Sequence, residues 1–299
     1  MRGNATTSIR SGAPDNGIDP HMKFDEASTQ DLKRLLELFP ITSLRQAWAE
    51  LKGVKDEVCF AVAEQKDVDR IGSFVLGHFS CCKQHVYVFP RAAGTVIPDV
   101  LLGEPPTLVD SDRALFIMRV TYEVVLRDPL EETSIDFLLP IMLELSPDAP
   151  YALVRFVVLE KSVPQYFDRP CYVPRRSIEE KTVLSALSAW GKARVDLHKG
   201  IKQLWSDGFM DSSYAKLKKA LSMASETMDE ERGIREHNPE LYDQIDQNTL
   251  LSALFTIADE NCGTTVLSAQ PTDGYLAFPR YSEIGGTDRV VAKVLRANQ

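Results

Sequence analysis

Two histidines and two cysteines fall within eight residues, His78-Phe79-Ser80-Cys81-Cys82-Lys83-Gln84-His85. Ring nitrogen and thiolate sulfur are the donors that zinc takes, so this is the densest set of possible metal ligands in the chain. Adjacent cysteines on an extended chain point to opposite faces, which works against all four side chains converging. The plainer expectation is two strand-end histidines beside two incidental thiols, with no metal. A second segment, Tyr166-Phe167-Asp168-Arg169-Pro170-Cys171-Tyr172-Val173-Pro174-Arg175-Arg176, interleaves arginines with rings. Arg169, Arg175 and Arg176 suit phosphate contact combined with base stacking. The same residues also read as a Pro-rich linker whose rings pack while its arginines stay solvated.

Enzyme templates fail one after another. There is no Gly-rich phosphate loop, no paired-His metalloprotease helix and no nucleophile-elbow serine. Asp148 followed by Glu160-Lys161 faintly resembles a metal-dependent nuclease core, but adjacent residues on a strand face opposite ways. Glu226, Asp229, Glu230 and Glu231 read as an acidic, solvated helix face. No motif calls for a cofactor. Were a catalytic site assembled from distant residues, His198, Cys171 and the His78–His85 cluster would be the first places to look.

The elements that must position such residues follow from composition and periodicity. With 299 residues, 44% hydrophobic and 26% charged, the chain has the make-up of a globular protein with volume for a buried core. A net charge of −9 argues against its whole surface binding nucleic acid non-specifically. The longest apolar runs, 114–118 and 137–143, are far too short to span a bilayer, so no membrane association is expected. Residues 1–22 are rich in Gly, Ser, Thr, Asn, Asp and Pro and lack the apolar core of a secretory signal. They read as a disordered, artificial leader. Five irregularly spaced cysteines are not a disulfide framework, which points to a reducing cytosol, and Cys59 reads as a small core residue.

Residues 31–66 repeat one apolar stripe in three short helices punctuated by Pro40 and Gly53: Leu32, Leu35, Leu36 and Phe39, then Leu44, Ala47, Trp48 and Leu51, then Val58, Ala61 and Val62. The middle of the chain is strand-like. Residues 71–79 and 85–89 read as a hairpin, 113–127 as a long strand, and 141–145 with 151–161 as a second hairpin about Ser146-Pro147-Asp148-Ala149-Pro150. Residues 95–112 read as a loop. Short connections imply an antiparallel sheet. Ser177-Ile178-Glu179-Glu180 is a capping box, after which helices are expected towards Trp205, over Tyr214–Ala224 and over 239–260. Strands return at 264–269, 275–278 and 289–295. The expected organisation is α+β: a small helical module at 23–66, then a body at 67–299 with a mostly antiparallel sheet and a long helical segment, 177–262, before the last strands.

The run Phe39-Pro40-Ile41-Thr42-Ser43-Leu44-Arg45-Gln46-Ala47-Trp48-Ala49-Glu50-Leu51, followed by Gly53-Val54-Lys55-Asp56-Glu57-Val58, resembles the SAP-like helix–extended-loop–helix family. The likeness covers only residues 39–66. It implies binding of double-stranded nucleic acid, with Arg45, Lys52 and Lys55 where phosphates would be met. The resulting expectation is a non-enzymatic recognition or adaptor protein of a cytosolic bacterial or phage system, binding nucleic acid or a protein. An enzyme with a dispersed site and a structural or oligomeric component are the alternatives.

Overall fold

The computed structural model describes residues 24–126, 130–146, 150–158, 171–172, 177–191, 193–218, 223–227, 233–243, 247–259 and 263–299. Four helices come first: α1 (Thr29–Glu37), α2 (Ile41–Ala47), α3 (Lys55–Glu64) and α4 (Val68–His78). Ser28 caps α1 reciprocally. Its hydroxyl oxygen accepts from Asp31 N at 3.1 Å, and the Asp31 carboxylate accepts from Ser28 N at 3.1 Å. Two N–H groups that the helix cannot satisfy internally are thereby paired. Leu32, Leu35, Leu36, Phe39, Leu44, Trp48, Val58 and Val62 are all buried, as the repeated stripe requires.

Residues 71–79, expected as a strand, form most of α4 instead. Ile71, Phe74 and Val75 sit at i, i+3 and i+4 and are buried together, and Asp67 accepts from Arg70 N at 3.0 Å as the N-cap. β-Branched and aromatic residues suit a pleated surface, but packing against the core selected the helix.

The strands are β1 (Gln84–Pro90), β2 (Leu108–Asp110), β3 (Arg113–Leu126), β4 (Glu131–Leu145), β5 (Tyr151–Val157) and β6 (Cys171–Tyr172), then β7 (Asp211–Lys218), β8 (Met223–Thr227), β9 (Thr249–Asp259), β10 (Gly263–Gln270) and β11 (Tyr275–Phe278). They form one eleven-stranded sheet in the order β2-β3-β4-β5-β1-β11-β10-β9-β7-β8, with β6 on β3. Each described pairing is antiparallel, and the fold is α+β. The turn after Leu145 sets Leu145 opposite Ala152, so the expected hairpin forms. Helices α5 (Ser177–Ala186), α6 (His198–Ser206), α7 (Ile234–His237), α8 (Pro239–Asp243) and α9 (Gly286–Ala297) complete the order.

Several expected helices in 177–262 are strands. Tyr214 and Leu217 lie on β7, and Ala224 and Glu226 on β8, so Glu226 stands on a strand and not on the expected acidic helix face. Of the helix expected over 239–260, the described residues are helical only in α8, and Thr249–Asp259 are β9, held between β10 and β7. Along β9, Ala253, Phe255 and Ile257 are buried while Leu254 and Thr256 are only partly so, a strand period that the leucine spacing had masked. Conversely, residues 289–295 are not a strand. Val290, Val291, Val294 and Leu295 are buried on one face of α9.

Two apolar clusters hold the layers. In one, the N-terminal helices pack with β3, β4, β5 and α5, and Trp48 belongs to the same cluster as Ile141 and Phe156. In the other, α6 and α9 pack with β1, β5 and the C-terminal strands. Up to Phe156, residues of β5 alternate between them: Ala152, Val154 and Phe156 belong to the first and Tyr151 and Leu153 to the second, while Val157 at the strand end joins the first. The clusters therefore lie on opposite faces where the two halves of the sheet meet.

Asp136 on β4 ties β3 to α1. Its carboxylate accepts from Thr121 Oγ1 at 2.6 Å and from Arg119, and its carbonyl accepts from Arg34 at 3.1 Å. Burial pushes this carboxyl up, but hydrogen bonds from Thr121 and Arg119 and the nearby guanidinium charges outweigh it and leave it below the usual range. A depressed carboxyl contributes stability above its unfolded value, near ~3.9, and that contribution is lost as pH falls through the folded value. The stability difference between wild type and Asp136→Asn should thus be full at about pH 6 and shrink below about pH 4. A difference constant across an acid series of denaturation curves would refute this. No helix among the described residues is long and apolar enough to cross a membrane.

Candidate functional site

At the β1–β11 seam, alternation sends Val86 and Val88 into the α6/α9 core and turns His85 and Tyr87 to the opposite face. Tyr275 of β11 sits directly across from Tyr87, with ring centroids 5.0 Å apart, and lies 5.3 Å from the His85 ring. Helix α5 then delivers Glu180 over these rings. One carboxylate oxygen is 2.7 Å from His85 Nδ1, and the other accepts from the Tyr87 hydroxyl at 2.5 Å. Burial first, and the Glu180 charge second, raise the Tyr87 and Tyr275 phenols above their ordinary value. Ionisation of either phenol is thereby further disfavoured.

Arg194 arrives on the strand-like segment before α6. Val195 N donates to Val88 O at 3.1 Å, Val88 N donates to Gly274 O at 2.8 Å, and Leu197 N donates to Pro271 O at 3.0 Å. Three backbone segments thus converge at Val88. The Arg194 guanidinium lies over Tyr87 at 4.6 Å and Phe89 at 4.5 Å from the ring centroids. It is half-buried and makes no ion pair or hydrogen bond among the described residues. Burial lowers its proton affinity, with Tyr87 and Asp273 acting in the other direction.

Arg194 lies between two open clefts. One, of about 490 Å³, is lined by Tyr87, Arg194, Gln270, Asp273 and Tyr275. The other, of about 390 Å³, is lined by Phe89, Lys181, Leu184, Ser185, Ser188, Gly191 and Arg194.

Gly274 makes this convergence possible. Its φ is +56°, and an added Cβ would meet Val195 O at 2.7 Å and Val88 O at 2.9 Å. Both are backbone atoms, and Val88 O is held by the Val195 N–H, so neither can swing aside as a side chain would. Gly274→Ala is expected to cost about 1–3 kcal/mol and to shift the Arg194 segment. A denaturation midpoint equal to wild type would show the turn to be more compliant than its contacts imply.

The residues singled out from sequence are dispersed. His78 hydrogen-bonds Phe74 O at 3.0 Å and stacks on the Phe74 ring, whereas His85 belongs to the seam. Cys81 and Cys82 are buried with raised thiol values, chiefly through desolvation, and Cys59 is pushed up to about 12. Such thiols are poor nucleophiles at neutral pH. Among the described residues no three His, Cys, Asp or Glu side chains are grouped to hold a metal. Both His198 ring nitrogens are engaged, Nδ1 with Asp196 at 2.5 Å and Nε2 with Leu250 O at 2.8 Å, which fixes the start of α6.

In the module resembling the SAP-like family, Arg45 donates to Gly53 O and Lys55 donates to Glu37 O at 2.6 Å, while Lys52 is exposed. Arg169, Arg175, Arg176, Asp148, Glu160 and the expected leader lie outside the described residues, as do Asp229, Glu230 and Glu231. Cys171 is on β6.

Sequence reasoning passed over Tyr87, Arg194 and Tyr275 as site residues, read Glu180 as part of a capping box, and weighed His85 as a metal ligand before favouring a strand-end histidine. One local signal existed: Lys181, Ser185 and Ser188 recur at i, i+4 and i+7 after Ser177. Comparison with known proteins gives no match to a family model, to a curated protein or to a solved structure.

Proposed function

We propose that this chain is a non-enzymatic recognition protein that grips a segment of a protein partner at the β1–β11 seam. The observation supporting this reading is how the groups in the cleft are used. Glu180 has one oxygen paired with His85 and the other with the Tyr87 hydroxyl. Groups committed in this way fix a shape but are not poised to take a proton from a reacting atom. The partly exposed Tyr87 and Tyr275 side chains and the stacked Arg194 guanidinium are what remain for a ligand. Rings with an arginine and few committed charges are the anchors typical of protein interfaces.

A protein partner fits better than nucleic acid because phosphate-backbone affinity grows with the number of phosphates neutralised. The described lining residues of the two clefts supply two cations, Lys181 and Arg194, on a chain of net charge −9. The test is capture from a lysate of the native source on immobilised wild type and Arg194→Ala. A protein retained by wild type and depleted about tenfold or more by the variant, as expected for a central arginine anchor, supports the reading. Identical protein sets on both columns would reject it. A salt-sensitive shift of duplex DNA, abolished by joint charge reversal of Arg45 and Lys55, would instead favour nucleic-acid binding by the helical module.

A further inference from the structure

The two clefts beside Arg194 differ in charge. Asp273 lines the larger one, whereas the described lining residues of the smaller one include Lys181 and Arg194 and no carboxylate. An oxyanion is therefore drawn to the α5 side. There Lys181, Ser185 and Ser188 line the cleft with an ammonium and two hydroxyls, and Leu184 supplies an apolar wall, while Phe89 lies buried beneath the Arg194 guanidinium. A guanidinium stacked on rings keeps its in-plane N–H edge for a bidentate partner, and the geometry of that edge matches a carboxylate or phosphate. No described residue of the protein takes up that edge.

We propose that the α5-side cleft is an oxyanion subsite for a carboxylate or phosphate carried on an aromatic or apolar stem. Arg194, seated on the buried Phe89 ring, provides the fork, Lys181 a second charge, and Ser185 and Ser188 hydroxyl donors, while the partly exposed Leu184 receives the stem. The inference rests on the recognition reading only for its setting, a side chain of a protein partner. The subsite's chemistry is testable without that partner.

The experiment titrates phenyl phosphate, benzoate and inorganic phosphate into the full chain by calorimetry. Phenyl phosphate or benzoate is expected to saturate a single site, and the tighter of the two identifies which oxyanion is preferred. Inorganic phosphate, lacking a stem, should bind at least about tenfold more weakly. Arg194→Ala and Arg194→Lys should each lose about tenfold or more, because a lysine replaces the fork with a point charge. Lys181→Ala should lose about threefold, in keeping with its exposure.

Ser185→Glu places a carboxylate in the cleft from an exposed position and should abolish binding with the fold intact. It serves as the control should Arg194→Ala unfold. No saturable heat from any probe at about 10 mM, a range in which fragments of this size register, would overturn the proposal. Binding insensitive to both Arg194→Ala and Ser185→Glu would do the same. Failed probes beside Arg194-dependent capture of a protein would remove the subsite and leave the recognition reading standing. Bound probes without such capture would remove the recognition reading alone.

Discussion

Arg155→Ala is expected to lower the free energy of unfolding by about 3–5 kcal/mol, the range for breaking a buried ion pair from one side. Arg155 is 1% exposed and stands on β5, facing the α9 layer. Its guanidinium is 2.9 Å from Glu144 on β4 and 2.6 Å from Asp288 in the first turn of α9, and it also reaches Gln84 on β1 at 3.4 Å. Gln84 in turn donates to Thr287 Oγ1 at 2.8 Å and to Phe79 O at 3.2 Å, and Thr287 Oγ1 donates to Ser80 O at 2.9 Å. The network therefore joins three strands, the start of α9 and the turn after α4. Truncation leaves Gln84 without one partner and two carboxylates facing each other across an emptied site, and buried polar groups left unpaired carry the cost. Urea denaturation measures it. A loss under about 1 kcal/mol would mean that Glu144 and Asp288 rehydrate freely, since both retain some exposure.

Trp48→Ala is expected to cost a similar amount, about 3–5 kcal/mol, through a cavity the size of an indole. Trp48 is 1% exposed, its ring centroid lies 4.9 Å from that of Phe74, and the Arg70 guanidinium covers it at 4.9 Å. Because its cluster runs without a break into β4 and β5, the loss should appear in one cooperative transition of the whole chain. An additional early transition confined to helical signal would instead make the first helices a unit that melts independently. The two variants probe opposite faces of the sheet, so their effects should add to within about half a kcal/mol.

Elements with a strong local signal were legible. The stripe from Leu32 to Val62 placed the first helices, because burial every three to four residues leaves a helix as the economical solution. The Pro-rich run over 146–150 pointed to the pairing of β4 with β5, and alternation over 113–127 pointed to β3. Local signal misled wherever apolar residues fitted two periods. Leu250, Leu254 and Ile257 suit a helix, yet Ala253, Phe255 and Ile257 suit a strand, and β9 is a strand because β7 and β10 flank it on both sides. Val290, Val291 and Val294 carry β propensity, yet α9 is a helix because its apolar face covers the sheet beside α6.

By itself, the sequence determined the α+β class, the leading helices and the central hairpin, since each depends on contacts among near neighbours. The tertiary structure alone decided the site. Tyr87 and Glu180 are 93 residues apart, and Tyr275 reaches them only because β11 pairs with β1. No spacing rule links residues so distant. Their meeting is set by which strands close the middle of the sheet, and by the close approach that Gly274 allows the Arg194 segment.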